Sequence, residues 1–160
     1  MTTEHPMEVD TRSDEAVYVA HAHELVRFAT GLVGPADAPD VVADAFLRVT
    51  AAPVWACAHN RRALLFRAVV NEARSRQRSD LRRRSRERRA SGPERVESPE
   101  FQPEVLAAVH ALSSQQRAVV FLTYWNDLTP GAVAELLDVS EGSVRKQLAR
   151  ARKHLRRALA

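Results

Sequence analysis

The chain has 160 residues, of which 45% are hydrophobic and 28% charged, and its formal net charge is +4. This length allows one domain or two small helical ones, and the apolar content is sufficient for a buried core. The single cysteine, Cys57, excludes an internal disulfide and fits a reducing cytoplasm. No segment reads as a membrane span, and the acidic N-terminus does not read as a signal peptide, so we expect a cytoplasmic protein without membrane insertion.

The positive charge is concentrated in two segments. Residues 74–89 contain nine Arg against two acidic residues, and residues 141–157 contain seven Lys or Arg against Glu141. The rest of the chain is therefore acidic. Two basic segments on an otherwise acidic chain indicate a polyanionic partner that is contacted at two places.

Three helices are predicted in the first half of the chain, after a polar tail at residues 1–13. The first, over residues 14–32, carries an apolar stripe at spacings of four, three, four and three residues, formed by Tyr18, Ala22, Leu25, Ala29 and Leu32. The second covers residues 38–50, with Val42, Phe46 and Val49 inward. A loop over residues 53–60 precedes the third, which runs from about His59 to residue 84.

A linker is predicted over residues 85–103. The sequence Ser91-Gly92-Pro93 breaks the preceding helix, and further prolines follow among acidic residues. Segments with strand-like alternation are hard to find. We therefore predict an all-α protein of two small helical domains, residues 14–84 and 104–160, joined by a flexible linker.

The second domain reads as a helix-turn-helix with a supporting helix before it. After a short helix at residues 104–112, Ser113 and Gln116 form a capping-box pattern. Thr129 is a favourable N-cap with Pro130 at the first helical position. Ser140 then caps the last helix, after a turn that begins at Asp138.

The last helix has an apolar stripe and a basic face. The stripe consists of Val144, Leu148, Ala151, Leu155 and Leu159, and most of the basic residues lie off it. The basic face alone is compatible with an ordinary solvated helix. Together with the preceding short helix, turn and N-cap, it favours a recognition helix that reads a DNA major groove.

These residues resemble the small, two-domain extracytoplasmic-function sigma factors of the sigma-70 family. The second domain is similar to the family's region 4 through Leu112–Val119, Tyr124-Trp125, Val133–Leu137, Val139–Val144 and Leu148–Arg152. In the first domain, Asp40–Arg48 resembles the polymerase-binding helix of region 2, and Ala63–Ala73 resembles the helix that melts and reads the minus-ten element. The resemblance implies a chain that is not itself an enzyme, with core RNA polymerase and promoter DNA as partners and an anti-sigma factor as a possible further one.

The resemblance also implies roles for individual residues. Those implied to face the opened minus-ten strand are Arg67, Asn71, Arg74 and Arg78. Those implied to contact the minus-thirty-five element are Ser143, Arg145, Lys146 and Arg150. Those implied to lie on or behind the polymerase-docking face are Asp40, Asp44 and Phe46.

Two other functions remain open from the sequence. Ala43 stands where the family usually has Gln in the polymerase-binding helix, which suggests an autonomous helix-turn-helix regulator that does not use polymerase. A protein that occupies polymerase or an anti-sigma factor without reading DNA is less favoured, because it would not need the basic last helix. No catalytic or phosphate-binding motif appears. His21 and His23, and likewise Cys57 and His59, lie two residues apart, and this spacing does not match a zinc site. No cofactor is therefore expected.

Aromatic residues allow two further expectations. Tyr124 and Trp125 are expected in the core of the second domain. Trp55, in the predicted loop, is equally compatible with the edge of the core and with a DNA contact.

Overall fold

A computed structural model describes residues 13–87 and 103–160, and these residues form eight α-helices. The N-terminal half consists of α1 (Asp14–Val33), α2 (Ala38–Thr50), α3 (Pro53–Ala56) and α4 (Arg61–Glu87). The C-terminal half consists of α5 (Pro103–His110), α6 (Ser114–Tyr124), α7 (Pro130–Leu137) and α8 (Glu141–Ala158). The all-α prediction is confirmed. Residues 1–12 of the predicted tail and 88–102 of the predicted linker lie outside the described residues, and α4 continues two residues past the predicted start of that linker.

The core of the N-terminal half lies between α1, α2 and α4. Ser13 caps α1 through a bond from the backbone N–H of Ala16 to its hydroxyl, and the Asn60 side chain accepts the N–H of Ala63 at 2.9 Å. The buried residues of α1 are Val17, Leu25, Phe28, Ala29 and Leu32. Three of these belong to the predicted stripe. Phe28 was missed because α1 is covered by α2, α4 and α6, and its buried face is therefore wider than one stripe.

The predicted loop at residues 53–60 contains the short helix α3 and places Trp55 at the edge of the core. The indole Nε1 of Trp55 donates to Oδ1 of Asp14 at 2.7 Å, and the Arg61 guanidinium lies 4.8 Å from its ring centroid. Phe46 of α2 packs edge-on against the same ring, with centroids 6.2 Å apart. Trp55 is therefore a core residue that joins α1, α2 and α4, rather than an exposed base-stacking surface.

The predicted caps of the helix-turn-helix are all present. Ser113 and Gln116 form the complete capping box of α6. Thr129 accepts the N–H of Ala132, and Ser140 accepts the N–H of Ser143. Asp138 ends α7 in the left-handed region, with φ 54° and ψ 50°. The connection between α7 and α8 is thereby set by local chemistry.

The apolar seam of α8 is shorter than its sequence suggests. Val144, Leu148 and Ala151 are buried, whereas Leu155 is half-buried and Leu159 is 50% exposed. Helices α5, α6 and α7 all pack against α8, but they cover the last two positions of the predicted stripe only in part.

The expectation that Tyr124 and Trp125 lie in the core is wrong. They are 55% and 65% exposed, because α6 ends here and its buried positions face away from Tyr124. The Trp125 ring stacks on Phe121, and the Tyr124 hydroxyl accepts a bond from Nε of Arg152 at 2.7 Å. These aromatic residues therefore cover the end of α6 from outside.

The two halves of the chain pack against each other and share one continuous apolar core. Helix α6 lies against α1 and α4, and α7 lies against α4. Phe28 and Phe121 meet edge to face across this boundary, with ring centroids 5.8 Å apart.

In residues 13–87 and 103–160 no single helix has the length and apolarity of a membrane span; only the pair α5–α6, bent by 116°, reaches them jointly.

Candidate nucleic-acid interface

The outer face of α8 carries the residues predicted to read DNA. Ser143, Arg145, Lys146 and Arg150 are all exposed, while Val144 on the opposite side of the helix is fully buried. A helix that is held by one apolar seam presents its other face as a rigid surface. Such a face, with small residues at its N-terminal end, fits the way a recognition helix enters a major groove.

The first turn of α8 is organised by its own side chains. Arg145 donates to Oε1 of Glu141 from Nε at 3.0 Å and from Nη2 at 2.5 Å. The hydroxyl of Ser143 lies 2.9 Å from that of Ser140. Among the described residues Lys146 and Arg150 have no hydrogen-bond acceptor. These two cations are therefore available to phosphates without breaking an internal contact, whereas Arg145 must leave Glu141.

The four residues predicted to face the minus-ten strand lie along one side of α4. They are Arg67, Asn71, Arg74 and Arg78, spaced by four, three and four residues, which places them on one helix face. Asn71, Arg74 and Arg78 are exposed. Arg67 is half-buried, and its Nη1 donates to Oδ2 of Asp138 in the helix-turn-helix at 3.2 Å.

The structure brings these two candidate surfaces together. An open groove of about 520 Å³ runs between α4 and the C-terminal half of the chain. Arg74 and Arg78 line one wall, and Ser143 and Gln147 of α8 line the other. Sequence reasoning treated the two surfaces as parts of separate domains, and the groove between them follows only from the packing of the two halves.

Of the three residues predicted to dock on polymerase, two are acidic and exposed and the third points inward. Asp40 and Asp44 lie on the outside of α2. The Asp44 carboxylate accepts a bond from Nη2 of Arg76 at 2.8 Å. Phe46 packs against the Tyr18 ring with centroids 4.8 Å apart, so it supports α2 from behind.

Arg76 and Glu72 of α4 organise the acidic side of α2, and neither was singled out from the sequence. The hydrogen bond to Asp44, together with the charges of Asp44 and Asp37, raises the pKa of Arg76, although its partial burial opposes this. Glu72 is buried, and its Oε2 lies 3.1 Å from Nη1 of Arg48. The sequence signal for these two residues was their spacing of four, which places them on one face of the basic helix α4, beside the acidic helix α2.

The comparisons with known proteins agree with the geometry of the C-terminal half. The family model for sigma-70, region 4, matches residues 103–155. These residues are therefore similar in sequence to sigma-70 region 4, and we call residues 103–155 the region 4 domain below. The region 4 domain includes α5 to α7 and most of α8, and it therefore contains all four residues predicted to contact the minus-thirty-five element.

The fold of the whole chain is similar to that of a solved sigma factor. This is RpoE from Bartonella quintana, crystallised in complex with the anti-sigma factor NepR. The two chains are 21% identical, the match covers 91% of this chain and 95% of that one, and the TM-score is 0.59. No curated protein shows a significant sequence match. The predicted resemblance to the sigma-70 family is confirmed in sequence over residues 103–155, and the fold of the chain is similar to that of a solved sigma factor.

Metal ligands do not cluster in the part of the chain that the structure describes. Residues 13–87 and 103–160 contain no group of three or more His, Cys, Asp or Glu that could hold an ion. His21 instead contacts Oε1 of Glu24 at 2.9 Å, within an ion pair between Glu24 and Arg62.

Proposed function

We propose that this chain is a sigma factor that binds core RNA polymerase and directs initiation at promoters with minus-ten and minus-thirty-five elements. The observation that carries the proposal is α8 of the region 4 domain, with a buried apolar seam on one side and an exposed basic face on the other. The chain lends sequence specificity to an enzyme and catalyses nothing by itself. We place its action in the cytoplasm, together with polymerase.

In this proposal the minus-thirty-five element is read by α8. Lys146 and Arg150 bind phosphates and set the register of the helix on the duplex. Arg145 reaches base edges or phosphates after exchanging Glu141 for DNA, and Ser143 lets the helix approach the groove closely. Phosphate contacts of this kind dominate affinity and make it dependent on salt.

The minus-ten element is read by the exposed side of α4. The Asn71 amide has a donor and an acceptor that suit the edge of an unpaired base. Guanidinium groups of Arg67, Arg74 and Arg78 hold the phosphates of the opened strand and stack on its bases. Unpairing costs a few kcal/mol per base, and these contacts offset that cost only once the strand is open.

Polymerase docks on α2 in this proposal. Asp40 is available directly, whereas Asp44 exchanges its partner Arg76 for a basic residue of polymerase. Phe46 holds α2 in place against α1 and α3. Because the structurally similar RpoE was crystallised with an anti-sigma factor, we propose that this chain also has an anti-sigma partner.

Run-off transcription with bacterial core polymerase on a mixed promoter library tests the proposal. We expect transcripts that depend on the chain. Asn71→Ala should leave duplex binding unchanged and lower open-complex formation by about fivefold to 150-fold, because one good base contact is worth about 1–3 kcal/mol. The matched control is Ser79→Ala, an exposed residue on the same helix outside the predicted set.

The opposite results have clear meanings. Unchanged transcription with Asn71→Ala would refute the minus-ten role of α4. No transcripts, with DNA binding by the free chain, would support the autonomous regulator instead. Ala43, which is exposed on α2, would then be the residue to replace with Gln.

A further inference from the structure

Glu141 is the only acidic residue in the sequence over residues 139–160, where seven Lys or Arg accompany it. It is the first residue of α8, at the end of the helix that the proposed function directs into the major groove. An acidic residue in the first turn stabilises a helix through the charge of the helix N-terminus, and this effect alone would not fix the position of the carboxylate. In the structure the carboxylate has neighbours on two sides, and they point to a further role.

One oxygen of the Glu141 carboxylate binds Arg145. Oε1 accepts from Nε of Arg145 at 3.0 Å and from Nη2 at 2.5 Å. The two residues lie four apart with the acidic residue first, which is the favourable order for an ion pair on a helix. Both side chains remain exposed, by 48% for Glu141 and 67% for Arg145. DNA that meets α8 can therefore compete for either member of the pair.

The other oxygen of Glu141 lies over the start of α7. Oε2 is 3.6 Å from the position that a Cβ of Gly131 would take, and the Thr129 hydroxyl oxygen is 3.9 Å from the same position. Thr129 is the N-cap of α7, and Gly131 is the second residue of that helix. The carboxylate is therefore placed between the two helices of the helix-turn-helix, with Arg145 on one side and the N-terminal end of α7 on the other.

Whether Arg145 leaves Glu141 depends on what the DNA offers to both residues. On a duplex of random sequence Arg145 can move to a phosphate, but this replaces one anion by another and leaves the Glu141 carboxylate unpaired beside a negatively charged backbone. Guanine offers two acceptors, O6 and N7, that match the fork of an arginine, and cytosine offers the N4 amino group, a donor that suits a carboxylate. The exchange is therefore favourable where both residues find a matching base.

We infer that Glu141 determines specificity at the minus-thirty-five element. On duplexes of the wrong sequence it keeps Arg145 from the phosphates. On the right sequence Arg145 binds a guanine, and Glu141 accepts a bond from the amino group of a cytosine. Residues four apart on a helix are about 6 Å apart and base pairs are about 3.4 Å apart, so the two bases lie within about two steps. The base selection rests on the proposed function, whereas the competition for Arg145 requires only that α8 meets DNA.

Glu141→Gln tests the competition, because Gln has nearly the same shape without the charge. Binding of the full chain to a fluorescent duplex of random sequence is measured by anisotropy, without polymerase, in about 100 mM salt. One additional phosphate contact is worth about eightfold in affinity at this salt concentration. An exposed ion pair withholds Arg145 by at most about fivefold. The smaller of these effects sets the limit, so the affinity of Glu141→Gln for the random duplex should rise about twofold to fivefold.

The matched control is Glu135→Gln, which removes the same charge from an exposed position on α7. It measures the effect of net charge alone, and we expect a smaller rise in affinity. On an Arg145→Ala background, Glu141→Gln should raise the affinity no more than Glu135→Gln does, because no guanidinium is left to release. A rise with Glu141→Gln that does not exceed the control, or that persists on the Arg145→Ala background, would overturn the competition for Arg145.

Base selection is measured with the complex of the chain and core polymerase. Promoter fragments with a randomised minus-thirty-five element are captured by this complex and sequenced. We expect a cytosine for which the preference falls by about fivefold to 150-fold in Glu141→Gln. We also expect a guanine within two steps of it for which Arg145→Ala loses the preference. If Glu141→Gln changed no base preference, or changed only the preference for guanine, the selection of cytosine by Glu141 would be wrong.

The two measurements separate this inference from the proposed function. If polymerase and the parent chain captured no promoter fragments, while the random duplex showed the expected dependence on Arg145, the proposed function and the selection of cytosine would be overturned and the competition for Arg145 would stand. If fragments were captured but neither measurement responded to Glu141→Gln, the proposed function would stand and this inference would be overturned.

Discussion

Asp138 allows the geometry of the helix-turn-helix to be tested by stability alone. It ends α7 in the left-handed conformation, with φ 54° and ψ 50°, and its N–H bonds to the carbonyls of Ala134 and Glu135. Its carboxylate pairs with Arg67 at 3.2 Å while remaining 79% exposed. The perturbation is a series at this one position, in which Asp is replaced by Gly, Asn or Ala.

The magnitudes follow from these two features. The left-handed region costs an ordinary L-residue about 1–2 kcal/mol, Asp and Asn less, and Gly almost nothing. An ion pair this exposed contributes about 0–1 kcal/mol. Asp138→Gly should therefore be neutral or stabilising by up to about 1 kcal/mol, and Asp138→Ala should be destabilising by about that amount. Asn tolerates the left-handed conformation as Asp does, so Asp138→Asn removes only the charge. Any loss of stability in Asp138→Asn relative to the parent chain should therefore disappear at high salt.

Thermal unfolding measures the series, with Glu135→Gly as the matched control. Glu135 is exposed inside α7, so Gly at that position should lose about 1 kcal/mol by helix propensity. A difference of 1 kcal/mol shifts Tm by about 2–4 °C if the halves unfold as one unit, and by about 4–8 °C if the region 4 domain unfolds alone. If Asp138→Ala were as stable as Asp138→Gly, the left-handed cap would be refuted.

Two further predictions concern salt and pH. Binding of the minus-thirty-five duplex should weaken on the order of a thousandfold between 50 and 200 mM salt if about six phosphates are contacted. Lys146→Ala should reduce the slope of log affinity against log salt concentration by about one, without changing sequence preference. An affinity of the parent chain that does not change with salt would argue for a protein that does not read DNA. Burial opposes the charged form of Glu24, but hydrogen bonds from Arg62 and His21 outweigh it and lower the Glu24 pKa below 4.5. Because the pKa of Glu24 is lowered in the folded chain, its contribution to the free energy of unfolding is complete above pH 4.5 and is lost as the pH falls through the folded pKa. The urea midpoint should therefore fall more steeply with decreasing pH below pH 4.5 in the parent chain than in Glu24→Gln. Equal slopes in the two chains would contradict this.

The caps and turns of the C-terminal half were predictable because their causes are local. Ser113 with Gln116, Thr129 with Pro130, and Ser140 each satisfy backbone N–H groups within a few residues along the chain. The basic side of α8 could be predicted for the same reason, since residue spacing places it opposite Val144. The functional roles of these residues, and of those on α2 and α4, stay predictions.

Predictions that depended on long-range burial were less accurate. Tyr124 and Trp125 look like core residues by type, but the end of α6 turns them outward. Leu159 continues the α8 stripe in sequence, but it lies just after the last residue of α8 and is 50% exposed. Trp55 could have been either kind of residue until Asp14 and Arg61 were found around its ring.

The sequence by itself determined the helices, their caps, the helix-turn-helix and the separation of basic from apolar faces, because these depend on interactions between residues a few positions apart. Tertiary structure decided which apolar residues are buried and how the two halves meet. Gly31 and Phe121 are 90 positions apart and Gln77 and Ser114 are 37 apart, so no local pattern marks them as partners. Their contact exists because Gly31, without a Cβ, leaves room for the Phe121 ring, and because Gln77 accepts a bond from the backbone N–H of Ser114 at the start of α6.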